Sequence, residues 1–256
     1  MCIDDRIRHL GGRSDLWRTF VEGDGMETAL SYQVSLRERL QSAYAAGVLD
    51  PAMRLLVEAQ AALRHDAQAD LALAESLAGL FFEQEKPMPM AAGSFDAVMD
   101  RIAQDGVSGR EQAEHPTRRA ARAACAVIDE ILHLPRPVQD HALDAIAGGG
   151  WTFAGPGLRA LPLELAGGSK AEILRIEPGW GAPRHSHNGG EYTLVLAGSF
   201  SDERGRYRIG EIACAGPSVT HRPIADQGEV CYSLAVTDAP LAFTGALGFL
   251  QRLWRH

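Results

Sequence analysis

The residues best equipped for chemistry lie in one short stretch, "HSHNGGE", residues 185–191. His185 and His187 are two apart, so in a strand both imidazoles project from the same face. Asn-Gly-Gly then makes a plausible tight turn, and Glu191 opens the next strand-forming run, from which it can fold back toward the pair. About thirty residues later, "GPSVTH" sets His221 just after a Gly-Pro turn. Three neutral imidazoles and one carboxylate form a nitrogen-rich donor set suited to a divalent transition metal. Zinc is the first expectation, with iron, manganese and nickel as alternatives.

The other histidines, His9, His65, His115, His133, His141 and His256, sit in helical or irregular segments without ligand spacing and are read as ordinary surface or partly buried residues. The cysteines Cys2, Cys125, Cys214 and Cys231 are scattered and include no CxxC pair, so a disulfide framework is not expected. Cys214 and Cys231 flank His221 and could lie near a metal, but their simpler reading is as small buried side chains.

Two kinds of periodicity position these residues. From about 28 to 147 the pattern is helical. Leu36, Leu40 and Tyr44 recur at four-residue spacing, and Gly47 follows as a helix-ending residue. Asp50-Pro51 is a helix start, the aspartate as cap and the proline in the first turn, where its missing N–H costs nothing. Met53, Leu56, Val57, Gln60 and Leu63 line one face of the helix that follows. A third helix over 67–84 carries Leu71, Ala74, Leu77, Leu80 and Phe81. "EKPMPMAAG", 85–93, reads as a linker, after which Ser94 caps a short helix with Phe95, Val98, Met99 and Ile102 on its apolar side. A polar connection follows, then "RRAARAACAVIDEIL" and "QDHALDAIA", both helical in pattern. Past the triple glycine at 148–150 the period changes to short alternating strands, "AEILRIEP", "YTLVLAGSF", "YRIGEIACA" and "VCYSLAVT", punctuated by Gly and Pro as in a β-sandwich or barrel.

The composition sets outer bounds. In 256 residues, 46% hydrophobic and 23% charged side chains are ordinary for a globular protein with a sizeable core. A net charge of −8 argues against general binding to nucleic-acid phosphates. No apolar run approaches the roughly 20 residues that span a bilayer, and "MCIDDRIRHLGG" lacks the apolar core of a signal peptide, so the cytoplasm is the expected location. Residues 1–27 show no pattern and are expected to be disordered, with Met26 an alternative start to Met1.

"GWGAPRHSHNGGEYTLVLAGSF" and "GEIACAGPSVTHRP" resemble the two signature motifs of the cupin superfamily, jelly-roll barrels with a His-His-Glu-His metal centre. Gly181, His185, His187, Glu191 and Gly198 fit the first motif; Gly210, Pro217 and His221 fit the second. The helical half, with "AYAAG" before a long amphipathic helix, resembles the N-terminal domain of ChrR-type anti-sigma factors. In that family a helical domain binds an extracytoplasmic-function sigma factor and a fused cupin responds to oxidative or singlet-oxygen stress. The resemblance runs over roughly residues 32–245. It also implies a helical-domain zinc held by an upstream histidine and an HxxxCxxC motif. Here Gln60, Arg64 and Ala67 occupy the matching positions and no histidine lies between His9 and His65, so no zinc is expected there. Packing of Leu55, Leu56, Leu63, Leu71, Leu77, Leu80, Phe81 and Phe82 must then hold the helices, at about 1.5–3 kcal/mol per fully buried large side chain.

The expected fold class is α+β, an all-helical bundle (28–102), a linker with connecting helices (103–147) and a cupin jelly-roll β-barrel (148–250). The leading functional expectation is an anti-sigma factor that sequesters such a sigma factor and senses an oxidative or small-molecule signal through the cupin metal. The linkers at 85–93 and 103–118 would let its domains move. Neither a nucleic-acid nor a membrane partner is expected, and self-association through the barrel is left open. The alternatives are a metal-dependent cupin enzyme such as a dioxygenase, or a binding module in which the ion only ties strands together.

Overall fold

The structure is a computed structural model that describes residues 29–107, 130–238 and 241–243, with side chains described over 35–103 and 130–238. The expectations for residues 1–27, for Cys2 and Cys125, and for most of "RRAARAACAVIDEIL" lie outside the described residues.

Among the described residues five helices precede the strands: α1 (Ala29–Ala45), α2 (Pro51–Leu63), α3 (His65–Gln84), α4 (Ser94–Val107) and α5 (Arg136–Gly148). Leu36 and Leu40 of α1 are buried. Gly47, at φ 68°, turns the chain out of the helix in the left-handed conformation that a side chain disfavours. Asp50 caps α2 as its sequence implies, its carboxylate accepting the Met53 N–H at 2.9 Å. Ser94 does not cap α4. It lies within the first turn, and its hydroxyl donates back to the Ala91 carbonyl. Helix α4 also runs on to Val107, past the expected end of the helical unit at 102.

Twelve strands follow among the described residues, all paired antiparallel. One sheet has six, in the order β1 (Thr152–Gly155), β2 (Leu158–Leu163), β3 (Lys170–Ile176), β11 (Cys231–Thr237), β5 (Glu191–Ala197), β8 (Ile212–Ala215). A second holds β10 (Ile224–Ala225), β6 (Ser199–Asp202) and β7 (Gly205–Arg208), and a third β12 (Leu241–Phe243), β4 (His185–His187) and β9 (Thr220–His221). Together they form the expected jelly-roll barrel. The hairpin β1–β2 is an addition to the strands anticipated from sequence. In β2, "LRALPL", both faces are partly covered, so the alternation that marks a half-buried strand is broken.

The six-stranded sheet has two apolar faces. Leu161, Ile173, Leu194 and Leu234 join Leu36, Met53, Leu56 and Val138 in one core, so α1, α2 and α5 pack directly on the outside of the barrel. Leu158, Ile176, Val195, Phe200 and Cys231 fill the inside. Burial on both faces explains why β5 reads as the continuous run "YTLVLA".

The core expected of α3 needs correction. Leu77, Leu80, Phe81 and Phe82 are 49%, 55%, 70% and 80% exposed. The covered stripe of the helix is instead Ala67, Leu71, Ala74 and Ala78, spaced at three and four residues. This helix carries two apolar faces, and the small-residue one packs, because alanines let the helices approach closely.

Candidate metal centre

The four candidate ligands converge. His185 and His187 project from β4, His221 from β9 beside it, and Glu191 from the first position of β5 in the facing sheet. The pairing of His185 with His221 across β4–β9 sets their side chains on one face. Gly181 permits the preceding segment to pass so near Pro223 that a Cβ would lie 1.9 Å from the Pro223 carbonyl oxygen. That contact gives the motif glycine a steric reason.

All four side chains are buried, and their donor atoms lie within 4.8 Å of one another. The Nε2 atoms of His187 and His185 are 3.1 and 3.2 Å from Nε2 of His221. Glu191 sets Oε2 3.5 Å from His187 Nδ1 and 3.9 Å from His185 Nε2, and Oε1 3.8 Å from His221 Nε2. Thr193 donates its hydroxyl to Glu191 Oε1 at 3.1 Å. Among the described residues, this is the one grouping of three or more His, Cys, Asp or Glu side chains close enough to share an ion.

The outer nitrogens decide what the inner ones present. His185 Nδ1 lies 2.7 Å from the Pro183 carbonyl oxygen, which only accepts, so that nitrogen carries the proton. His221 Nδ1 lies 2.9 Å from Asp202 Oδ2, a carboxylate, and is assigned the same way. Two Nε2 lone pairs then face each other at 3.2 Å, an arrangement that repels unless a cation lies between them. A metal bound to nitrogen at about 2.0–2.1 Å separates neighbouring ligands by about 3.3 Å, close to what is seen. The residues fit a divalent transition metal.

The protonation tendencies of the ligands differ. Burial, opposed by Glu191 and reinforced by the other two imidazoles, brings His187 down to about 4, leaving it neutral at pH 7. Burial also works against a charged His185, but Glu191 and the Pro183 carbonyl outweigh it and hold its pKa above the usual value. Burial disfavours the Glu191 anion, yet the surrounding imidazoles keep its carboxyl below the ordinary range. On the same inner face, burial first and the charge of Glu191 second push Glu172 upward.

Neither described cysteine joins the cluster. Cys231 lies in the apolar part of the barrel, and Cys214 packs on the helix side of the sheet. His65, His133 and His141 are likewise outside it. Gln60 turns its amide to the Gly210 carbonyl, and Arg64 pairs with Asp66, so neither is arranged as a ligand. Asp202 is the functional neighbour that sequence reasoning missed. It lies in "SFSDERG", and nothing in its spacing to His221 announces a contact between strands of different sheets.

Comparison with known proteins covers most of the chain. Residues 141–239 match the ChrR cupin-like domain family. The anti-sigma-E factor ChrR of Cereibacter sphaeroides is 33% identical over 210 residues, which cover 82% of this chain and 92% of that protein. The crystal structure of Rhodobacter sphaeroides SigE in complex with the anti-sigma ChrR superposes with a TM-score of 0.60 at 30% identity, over 78% of this chain and 96% of that one. With that identity extending across both the helices and the barrel, the chain belongs to the ChrR family of anti-sigma factors.

Proposed function

We propose that this chain is an anti-sigma factor that holds an extracytoplasmic-function sigma factor inactive in the cytoplasm, and that its barrel, loaded with zinc, reads the signal that ends the inhibition. The observation that carries the first part is an uncovered apolar surface between residues 73 and 102. Leu77, Phe81, Phe82, Phe95, Met99 and Ile102 are all exposed, while Leu36 and Leu40 of α1 and Leu55 and Leu56 of α2 are buried. On α4, Phe95, Val98, Met99 and Ile102 fall at the spacing of one helical face. Large apolar patches on a soluble chain mark places where another protein binds, and an amphipathic helix laid into a groove is a common way to bind it. The relative's structure, a SigE–ChrR complex, names the class of partner.

Strand β5 gives the barrel a physical connection to the helices. Glu191 and Thr193 face the metal cluster, whereas Tyr192 and Leu194, alternating with them, belong to the core shared with α1 and α2. A metal held by His185, His187, Glu191 and His221 would supply a Lewis-acidic centre, and a shift of Glu191 would be transmitted along a strand packed on both faces. No described helix is long and apolar enough to cross a membrane. The test is co-expression of the full chain with an extracytoplasmic-function sigma factor from the same genome. A stable one-to-one complex that keeps the sigma factor off core RNA polymerase is expected. If none of that genome's sigma factors of this class co-purifies, the proposal fails.

A further inference from the structure

The geometry points to Asp202 as a positioning residue for the metal centre, fixing His221 as an Nε2 ligand and strengthening its grip on the ion. This rests on the reading of the His185, His187, Glu191 and His221 cluster as a metal site.

Asp202 ends β6, in the β10–β6–β7 sheet, while the three histidines stand on the β12–β4–β9 sheet. Its carboxylate bridges the two. Oδ2 lies 2.9 Å from His221 Nδ1, and Oδ1 accepts the backbone N–H groups of Arg204 at 2.8 Å and Gly205 at 3.2 Å. The turn after β6 therefore sets the carboxylate in place, and the carboxylate in turn orients the ring. The side chain of Asp202 is only 1% exposed and that of His221 4%, so water does not compete for the contact. An anionic acceptor on Nδ1–H selects the tautomer whose lone pair is on Nε2 and makes that nitrogen a better donor to a cation. The next residue extends the bracing. Glu203 accepts Arg184, which precedes His185, and the backbone N–H of Arg222, which follows His221, each at 2.9 Å. The end of β6 thus touches the chain beside two ligands as well as one ligand itself.

The experiment compares the full chain with Asp202→Asn, which retains an oxygen for the Arg204 and Gly205 N–H groups but removes the charge. Zinc affinity is measured by competition with a chromogenic chelator, the melting midpoint of the metal-free protein is recorded beside it, and the His221 ring tautomer in the zinc-loaded protein is read by long-range ¹H–¹⁵N NMR. The expected result is an affinity about 10–100-fold weaker for Asp202→Asn, with little change in the metal-free midpoint. The wild-type His221 should show a protonated Nδ1 and a metal-bound Nε2, a signature perturbed in the variant. Equal affinities overturn the proposal, as does ligation of wild-type His221 through Nδ1. A loss of affinity matched by a lower metal-free midpoint, with the tautomer signature intact, also overturns it and leaves Asp202 a turn-forming residue. Wild-type protein that takes up no zinc fails at an earlier step, removing the metal reading and this proposal with it.

Discussion

Gln60 of α2 donates its side-chain amide to the backbone carbonyl of Gly210, between β7 and β8, across a buried gap of 3.0 Å. At the position where the family resemblance puts a zinc ligand, this chain has a tether from helix to barrel. Gly210 has φ 80°, and a Cβ there would lie 2.5 Å from Cγ of Arg64, so the corner between α2 and α3 sits directly on that loop. Replacing Gln60 by Leu leaves the Gly210 carbonyl buried without this donor, a loss of about 1–3 kcal/mol. Urea denaturation of the two proteins measures it; an unchanged midpoint would show the bond to be energetically idle.

Metal uptake is expected at a single site. The purified chain should bind zinc at one ion per molecule through His185, His187, Glu191 and His221, and His187→Ala should abolish it, as read by elemental analysis. Chelator treatment should lower the thermal midpoint of the barrel but leave the α1–α3 contact in place. There, Arg37 reaches Asp66 at 2.6 Å and Asp70 at 3.0 Å, and Gln41 donates to the Ala67 carbonyl at 2.7 Å. Two ions per chain would contradict the expectation that the helical half holds no zinc.

Acid should weaken that helical corner in a defined direction. Hydrogen bonding to Arg64 and Arg37, against a small burial effect, holds Asp66 well below the usual carboxylate range. Its folded-state pKa is depressed, so its contribution is complete above the unfolded value near 3.9 and is lost as pH falls through the folded one. The stability difference between wild type and Asp66→Asn should therefore be constant from pH 7 to about 5 and shrink on further acidification. A difference that grows as the pH falls would refute this linkage. Because Asp66 is half exposed, solvent screening keeps the effect modest.

Partner binding and folding should separate at the exposed face. Phe81→Asp combined with Ile102→Asp is expected to abolish capture of the sigma factor. The same pair should change stability by no more than about 0.5 kcal/mol per site, as for other exposed positions. Size-exclusion chromatography of the co-expressed pair and thermal melting of the free variant are the two readouts. A variant that melts far below wild type would mean these side chains belong to the core.

The described cysteines should differ sharply in reactivity. Burial pushes the Cys231 thiol up to about 11, so at pH 8 only about one molecule in a thousand carries the thiolate. Cys214 is partly accessible. Alkylation of the native protein, followed by peptide mass spectrometry, should label Cys214 well before Cys231. Labelling of Cys231 should rise as pH approaches 11. Equal rates at pH 8 would show that the barrel interior opens on the labelling timescale.

The sequence by itself picked out His185, His187 and Glu191 as candidate ligands, because strand spacing and a turn place them with little freedom. It also determined the class of fold, because the change from a helical to an alternating period at 148–150 is local information. The cap of α2 by Asp50 belongs here too, since it depends on neighbours in the chain. Tertiary structure alone decided which of two apolar faces of α3 is covered. Periodicity identifies faces, but only the partner surface selects the Ala67–Ala78 stripe over Leu77 and Phe81. It alone decided that Gln60 finds Gly210, 150 residues away, and that Asp202 finds His221 across two sheets. Such contacts are made between backbones brought together by the whole barrel, and no residue spacing encodes a distance that exists only after folding.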